Sequence, residues 1–125
     1  MARQIRIMIV DDHTLVRTSL TTVLGTYPDL TVVGQAADGE EGVELAAKLK
    51  PDVVLMDMGM PRKNGVQATR ALVERCPEIR VIGLSMYEAD IMAAPMLQAG
   101  AVAYVEKFAP IEKLVGTIRR VCGLA

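Results

Sequence analysis

Asp11, Asp12, Asp57 and Lys107 are the residues whose types and positions could do chemistry together. Asp11 and Asp12 directly follow the apolar run Ile5-Arg6-Ile7-Met8-Ile9-Val10, and Asp57 directly follows Val53-Val54-Leu55-Met56. Lys107 comes two residues after Val102-Ala103-Tyr104-Val105. If these runs are parallel strands, their ends converge on one edge, where open α/β folds place their ligands. Three carboxylates and one ammonium there carry a formal charge of −2. An oxygen-only donor set of that charge suits a divalent cation and points to magnesium, which takes one or two carboxylates, waters and a phosphate oxygen. Two like charges about 4 Å apart repel by roughly 4 kcal/mol at an effective dielectric near 20. Since roughly 5–15 kcal/mol holds a small domain folded, three gathered acids call for a cation that offsets the repulsion. Taken singly, two of these residues have plainer readings. Asp12 could be the N-cap of a helix beginning near Thr14, and Lys107 an ordinary surface ion-pair partner.

The elements that must position these residues read as alternating strand and helix. Strand-like runs begin near Ile5, Thr31, Val53, Arg80 and Val102. Each is short and nearly all apolar, as in strands buried on both faces of a parallel sheet. Between them the apolar period is helical. Leu15, Val16, Leu20, Val23 and Leu24 form one stripe, and Ile111, Leu114, Val115, Ile118 and Val121 another. Asp38 followed by Glu41 resembles a capping box opening the second helix, which Pro51 stops. Pro110 suits the first turn of the last helix and Gly123 its end. Five such units predict a doubly wound α/β fold with a parallel sheet and no internal repeat or linker. Pro95 falls inside the segment expected to be the fourth helix, where proline costs about 3 kcal/mol. That predicts a helix kinked, shortened at its start or mobile.

Composition bounds the function. A chain of 125 residues makes one domain with a sizeable core. Apolar residues are 51% and the net charge is −1, which excludes disorder and a general attraction to nucleic acid. Apolar stretches of four to six residues are far short of a membrane span. Met1-Ala2-Arg3-Gln4-Ile5 enters a strand with no signal-peptide pattern, so a cytoplasmic location is expected. Cys76 and Cys122 are isolated and read as buried, reduced thiols. His13 is the only histidine, so a Ser-His-Asp arrangement could run only through it, and a cluster of several histidines on a metal is impossible within one chain.

Four motifs in order resemble the receiver domain of bacterial two-component response regulators, over nearly the whole chain. They are Val10-Asp11-Asp12-His13, then Leu55-Met56-Asp57-Met58-Gly59-Met60-Pro61 with Asn64-Gly65, then Leu84-Ser85-Met86, and Ala99-Gly100-Ala101-Val102-Ala103-Tyr104-Val105-Glu106-Lys107. The Asp-Asp-His opening and the stretch from Lys107 to Leu114 look most like the NarL/FixJ (LuxR-type) subfamily. There a receiver is usually followed by a helix-turn-helix DNA-binding domain. The resemblance implies a flavodoxin-like sheet of strand order 2-1-3-4-5. On that footing residues 1–125 are a single receiver domain, and the stop at Ala125 suggests excision from a longer protein whose effector domain would contact DNA, with a stand-alone receiver as the alternative.

The resemblance further implies a phosphorylation-activated switch rather than an enzyme acting on an external substrate. Asp57 would accept a phosphoryl group from a sensor histidine kinase as an acyl phosphate. Magnesium would be held by Asp12, by Asp11 directly or through water, by Asp57 and by the backbone carbonyl of Gly59. Lys107 and the metal would neutralise the phosphoryl oxygens. Ser85 and Tyr104 would form the switch, biasing a surface of fourth helix, fifth strand and fifth helix that controls transcription and supports a homodimer on activation. Gly59 stands where the family generally carries a larger side chain, leaving the phosphoryl face more open to water, with Tyr87 a cover from the other side. Phe108 replaces a frequent cis proline. Met58, Met60, Met86, Met92 and Met96 are read as core filling or as an adaptable partner surface.

Rival functions are separable. A phosphatase of the haloacid dehalogenase type needs a second carboxylate two residues after its nucleophile, and here that residue is Gly59. A dinucleotide-binding domain wants a glycine-rich turn where this chain has Asp-Asp-His-Thr. The alternative that keeps the fold is a pseudo-receiver, a docking module that is never phosphorylated.

Overall fold

In a computed structural model of the chain, residues 4–58, 64–85 and 89–123 are described, with backbone alone for 89–93. Five strands alternate with five helices: β1 Ile5–Val10, α1 Thr14–Leu24, β2 Leu30–Ala36, α2 Gly39–Leu49, β3 Val53–Asp57, α3 Gly65–Arg75, β4 Arg80–Ser85, α4 Ala89–Ala99, β5 Ala103–Glu106 and α5 Ile111–Val121. All strand pairs are parallel, in the order β2-β1-β3-β4-β5. This is the expected doubly wound, flavodoxin-like sheet.

Alternation along each strand divides the core in two. Met8, Val10, Val54, Met56 and Val81 face α2, α3 and α4 through Val43, Ala46, Ala68, Leu72 and Met96. Ile7, Ile9, Val53, Leu55, Ile82 and Leu84 face α1 and α5 through Leu24, Leu114, Val115 and Ile118. The apolar stripe expected on α5 is buried at Leu114, Val115 and Ile118. The stripe expected on α1 is not: Leu15 is 77% exposed and Val23 38%, while Leu24 is buried.

Helix ends follow local chemistry. Asp38 caps α2, accepting from the Glu41 N–H at 2.8 Å. The reciprocal Glu41 carboxylate accepts instead from the Ala37 N–H at 3.4 Å. Lys50 ends that helix in the left-handed region, immediately before Pro51. Pro110 is the N-cap of α5, one position before the first turn, and Gly123 follows its end at φ 74°. α4 spans eleven residues with Pro95 inside it. The Lys107–Phe108 peptide is trans.

The α1–β2 loop is tied to α5 by Arg119, whose Nε and Nη2 donate to the Asp29 carboxylate at 2.9 and 3.0 Å. The same guanidinium lies over the Tyr27 ring, 5.6 Å from its centroid. The Arg119 hydrogen bonds hold the Asp29 carboxyl below its ordinary value of 3.8. A depressed carboxylate contributes stability above its unfolded pKa and loses it as pH falls through the folded one. Asp29→Asn is therefore expected to lower the melting temperature at pH 7 by no more than about 3 °C, the pair being solvent-screened. Thermal melts of both proteins should show that gap constant above pH 5 and closing below about pH 4; a gap that widens in acid would contradict the assignment.

Candidate metal and phosphoryl site

Parallel register brings the strand ends together. Val10 stands opposite Met56, Asp57 opposite Leu84, and Ser85 opposite Glu106. One residue further along, Asp11 comes beside Asp57, and Lys107 leaves the end of β5. The Lys107 N–H donates to the Ser85 carbonyl at 2.6 Å, and its side chain reaches back over the end of β4. Its Nζ lies 2.6 Å from Asp11 Oδ2 and 3.1 Å from Asp57 Oδ1. The three side chains are only 2%, 0% and 6% exposed, so this is a buried ion cluster rather than a surface pair. Burial alone would lower the lysine's pKa. The Asp11 hydrogen bond and the charges of Asp57 and Asp11 outweigh it and hold the ammonium above its ordinary value of 10.5.

Asp12 does not cap α1. The N-cap is His13, which makes no side-chain cap bond. The His13 N–H donates to Asp11 Oδ1 at 2.8 Å, and its ring Nδ1 lies 3.1 Å from the same oxygen and 3.2 Å from Asp12 Oδ1. Asp11 Oδ2 and Asp12 Oδ1 are both buried. The Lys107 ammonium stands 2.6 Å from the first of these oxygens and the His13 ring nitrogen 3.2 Å from the second. Donor atoms of Asp11, Asp12, His13 and Asp57 all fall within 4.8 Å of one another. Buried carboxylate oxygens converging in this way fit a hard divalent cation.

Two supports were not singled out as functional from sequence. Arg17 of α1 donates from Nη1 to the Asp11 carbonyl at 2.6 Å and from Nη2 to the Thr14 hydroxyl at 3.4 Å. A cation in the first turns of a helix opposes the helix dipole, and that misfit is the signal that could have marked it. Gly65 opens α3 directly against the end of β3. Its N–H donates to the Met58 carbonyl at 3.1 Å. A methyl group there would collide with the Asp57 carbonyl oxygen and come within 2.8 Å of the Met58 Cα. Asn64 and Gln67 form a full capping box that fixes this approach.

Ser85 is buried at the end of β4, next to the site. Tyr104 is half-buried on the α4 side of the sheet. Gly83 lies beneath it: a Cβ there would stand 2.8 Å from the Met96 Cε and 3.3 Å from the Tyr104 ring. Met58 and Met96 are core residues, and Met96 is fully buried with its sulfur accepting from the Thr69 hydroxyl at 3.8 Å. The partner-surface reading therefore fails for these two methionines. Gly59, Met60, Met86 and Tyr87, and the side chain of Met92, lie outside the described residues.

A family model described as the response regulator receiver domain matches residues 7–119. The chain belongs to that family, the receiver domains of two-component systems. It is 47% identical over 117 residues to the response regulator GacA of Pseudomonas viridiflava, covering 94% of this chain and 55% of that protein. It is 39% identical over 116 residues to the transcriptional regulatory protein DegU of Brevibacillus brevis, covering 93% and 49% respectively. A crystal structure of a LuxR-family two-component response regulator from Aurantimonas sp. SI85-9A1 superposes with a TM-score of 0.89 at 33% identity, covering 94% of this chain and 84% of that one. The relatives are of the NarL/LuxR type. The chain spans about half the length of the curated relatives it matches. Among the described residues no helix is long and apolar enough to cross a membrane.

Gly65→Ala is expected to displace the Asp57 backbone and lower folding stability by roughly 1–3 kcal/mol, the usual range for forced overpacking. Denaturant melts would measure the loss. An unchanged midpoint would mean that the approach of α3 to β3 tolerates a methyl group.

Proposed function

We propose that this chain is a phosphorylation-controlled switch in which Asp57 accepts a phosphoryl group from the phosphohistidine of a sensor histidine kinase. The observation that carries the reading is the buried Lys107 ammonium, held between Asp11 Oδ2 and Asp57 Oδ1 at the sheet edge. In the transfer, an Asp57 carboxylate oxygen forms the new P–O bond as the donor's P–N bond breaks. The bonding pair leaves with the donor imidazole, which takes up a proton. Phosphoryl transfer asks the protein chiefly for positioning and charge. Lys107 supplies a positive charge already ordered beside Asp57, so only its contacts to the two carboxylates need shift as the phosphoryl oxygens arrive. Asp11, Asp12, Asp57 and the Gly59 carbonyl would hold magnesium, which when bound supplies further positive charge to those oxygens.

Ser85 and Tyr104 are the proposed route outward. Ser85 would donate its hydroxyl to a phosphoryl oxygen, drawing the end of β4 inward, and Tyr104 would respond against α4 and β5. The output surface is α4, β5 and α5, and the regulated process is transcription, acting through a helix-turn-helix domain in the remainder of a longer protein. Activation is proposed to favour a homodimer.

The kinase contact is read from the rim of the site. Leu15 and Phe108 are 77% and 74% exposed, and with Val16, Ser19, Leu20 and Lys107 they line a groove of about 210 Å³. Large apolar side chains exposed beside a buried charged site suit a partner that must cover it during transfer. Replacing both Leu15 and Phe108 with serine is expected to slow phosphoryl transfer from a kinase that labels the wild type by about tenfold or more. Labelling by acetyl phosphate should fall by no more than about twofold, since a small donor needs no protein contact. Equal losses with both donors would remove the groove from the kinase interface.

The central test is intact-mass measurement after incubation with acetyl phosphate and magnesium. Wild type is expected to gain one phosphoryl, and the gain should vanish in Asp57→Asn or when EDTA removes the metal. No gain in the wild type would leave a docking module as the better account, and a gain that survives Asp57→Asn would move the acceptor elsewhere.

A further inference from the structure

His13 occupies a place that a magnesium site does not require. Its imidazole makes no cap bond to α1. Asp11 Oδ1 already receives the His13 backbone N–H at 2.8 Å. Yet ring Nδ1 stands 3.1 Å from Asp11 Oδ1 and 3.2 Å from Asp12 Oδ1, and the side chain is 58% exposed, open to an arriving ion. Two donors on adjacent positions of one small divalent ion, each about 2.0–2.1 Å from it, lie roughly 2.9–3.4 Å apart. Both separations from the imidazole nitrogen to a carboxylate oxygen fall in that range, and the donor atoms of the group all lie within 4.8 Å of one another. Asp12 Oδ1 is buried and makes no regular hydrogen bond, its neighbour at 3.2 Å being that same imidazole nitrogen.

We propose that Asp11, Asp12 and the His13 imidazole form a mixed nitrogen–oxygen site for a transition-series divalent cation of the zinc class, overlapping the magnesium position. The inference rests on the reading that these acids hold a divalent cation. Imidazole favours zinc, nickel and copper, whereas magnesium keeps oxygen donors and sheds water reluctantly. The same two carboxylates therefore serve either metal, and Nδ1 adds affinity for only one. The bland competitor is a protonated imidazole hydrogen-bonded to the acids, which predicts no preference between metals.

His13 is the chain's only histidine, so its ring nitrogens give one unambiguous NMR signal pair in the untagged protein. Zinc and magnesium affinities should be titrated calorimetrically for wild type, His13→Ala and His13→Gln, with the imidazole nitrogen resonances followed in the wild type. The expected result is a zinc-to-magnesium affinity ratio that falls about tenfold or more in both variants. The Nδ1 resonance should shift on zinc addition and move far less with magnesium. Zinc taken up elsewhere, for example at the partly exposed Cys122, would leave that resonance unmoved and overturn the proposal. Magnesium binding with an unchanged ratio would overturn this inference alone. Failure of the wild type to bind magnesium at all would overturn the acid-pocket reading beneath it.

Discussion

The Lys107 ammonium between two buried carboxylates is the interaction on which the sheet edge depends. Asp11 and Asp57 have oxygens within 4.8 Å of each other, a repulsion of at least roughly 3.5 kcal/mol at an effective dielectric near 20. One ammonium 3.1 Å from Asp57 returns about 5 kcal/mol on the same scale, and its 2.6 Å contact to Asp11 somewhat more. Attraction exceeds repulsion for these three groups, and Asp12 leaves the pocket with a negative surplus. The cluster is therefore stable enough to fold and still attractive to a cation. Adjacent strands stand about 4.8 Å apart, so Lys107 must cross the end of β4 to bridge β5 and β3. A long flexible stem can do that only over a small residue, and Ser85 is what β4 places there.

That balance bears on the proposed route from the pocket to α4, β5 and α5. Inverting a two-state population from 1:99 to 99:1 needs about 5.5 kcal/mol of differential interaction. Lys107 makes two close carboxylate contacts, and redirecting one of them toward a phosphoryl oxygen is the proposed source of part of that difference. The proposed mechanical path runs along β4 and β5. Gly83 leaves room for Met96 of α4 and the Tyr104 ring to lie over the strand, so a shift of Ser85 two residues further on is felt by both. Met96 is fully buried and anchored to Thr69 of α3, which ties α4 to its neighbouring helix at that point.

Much of this was legible in the chain because buried parallel strands announce themselves. Ile5, Val53 and Arg80 begin strands where the apolar runs begin, and the acids and lysine at their ends meet because parallel strands end together. The stripe on α5 was legible for a similar reason: Leu114, Val115 and Ile118 lie over a sheet that continues beneath them. The stripe on α1 misled at Leu15. Periodicity gives the direction of an apolar face but not where its cover stops, and Leu15 sits in a first turn that overhangs the strand ends beside Phe108. Gly65 and the Asn64–Gln67 box were silent as to role, since a close backbone approach leaves no mark in hydrophobic pattern.

The first turn of α1 shows the same logic from the opposite side. A helix built for stability alone would open on a side-chain cap and acids; this one opens on His13 without a cap bond, has no acid in its first turn and carries Arg17 against the dipole. Each departure weakens the helix and serves the pocket. Arg17 holds the Asp11 carbonyl, the His13 N–H orients the Asp11 carboxylate, and the His13 ring lies against both acids. Local rules broken together, around one pair of carboxylates, mark the place where the chain gives up stability for a site. The burial of Leu24 at the far end of the same helix shows what the near end has forgone.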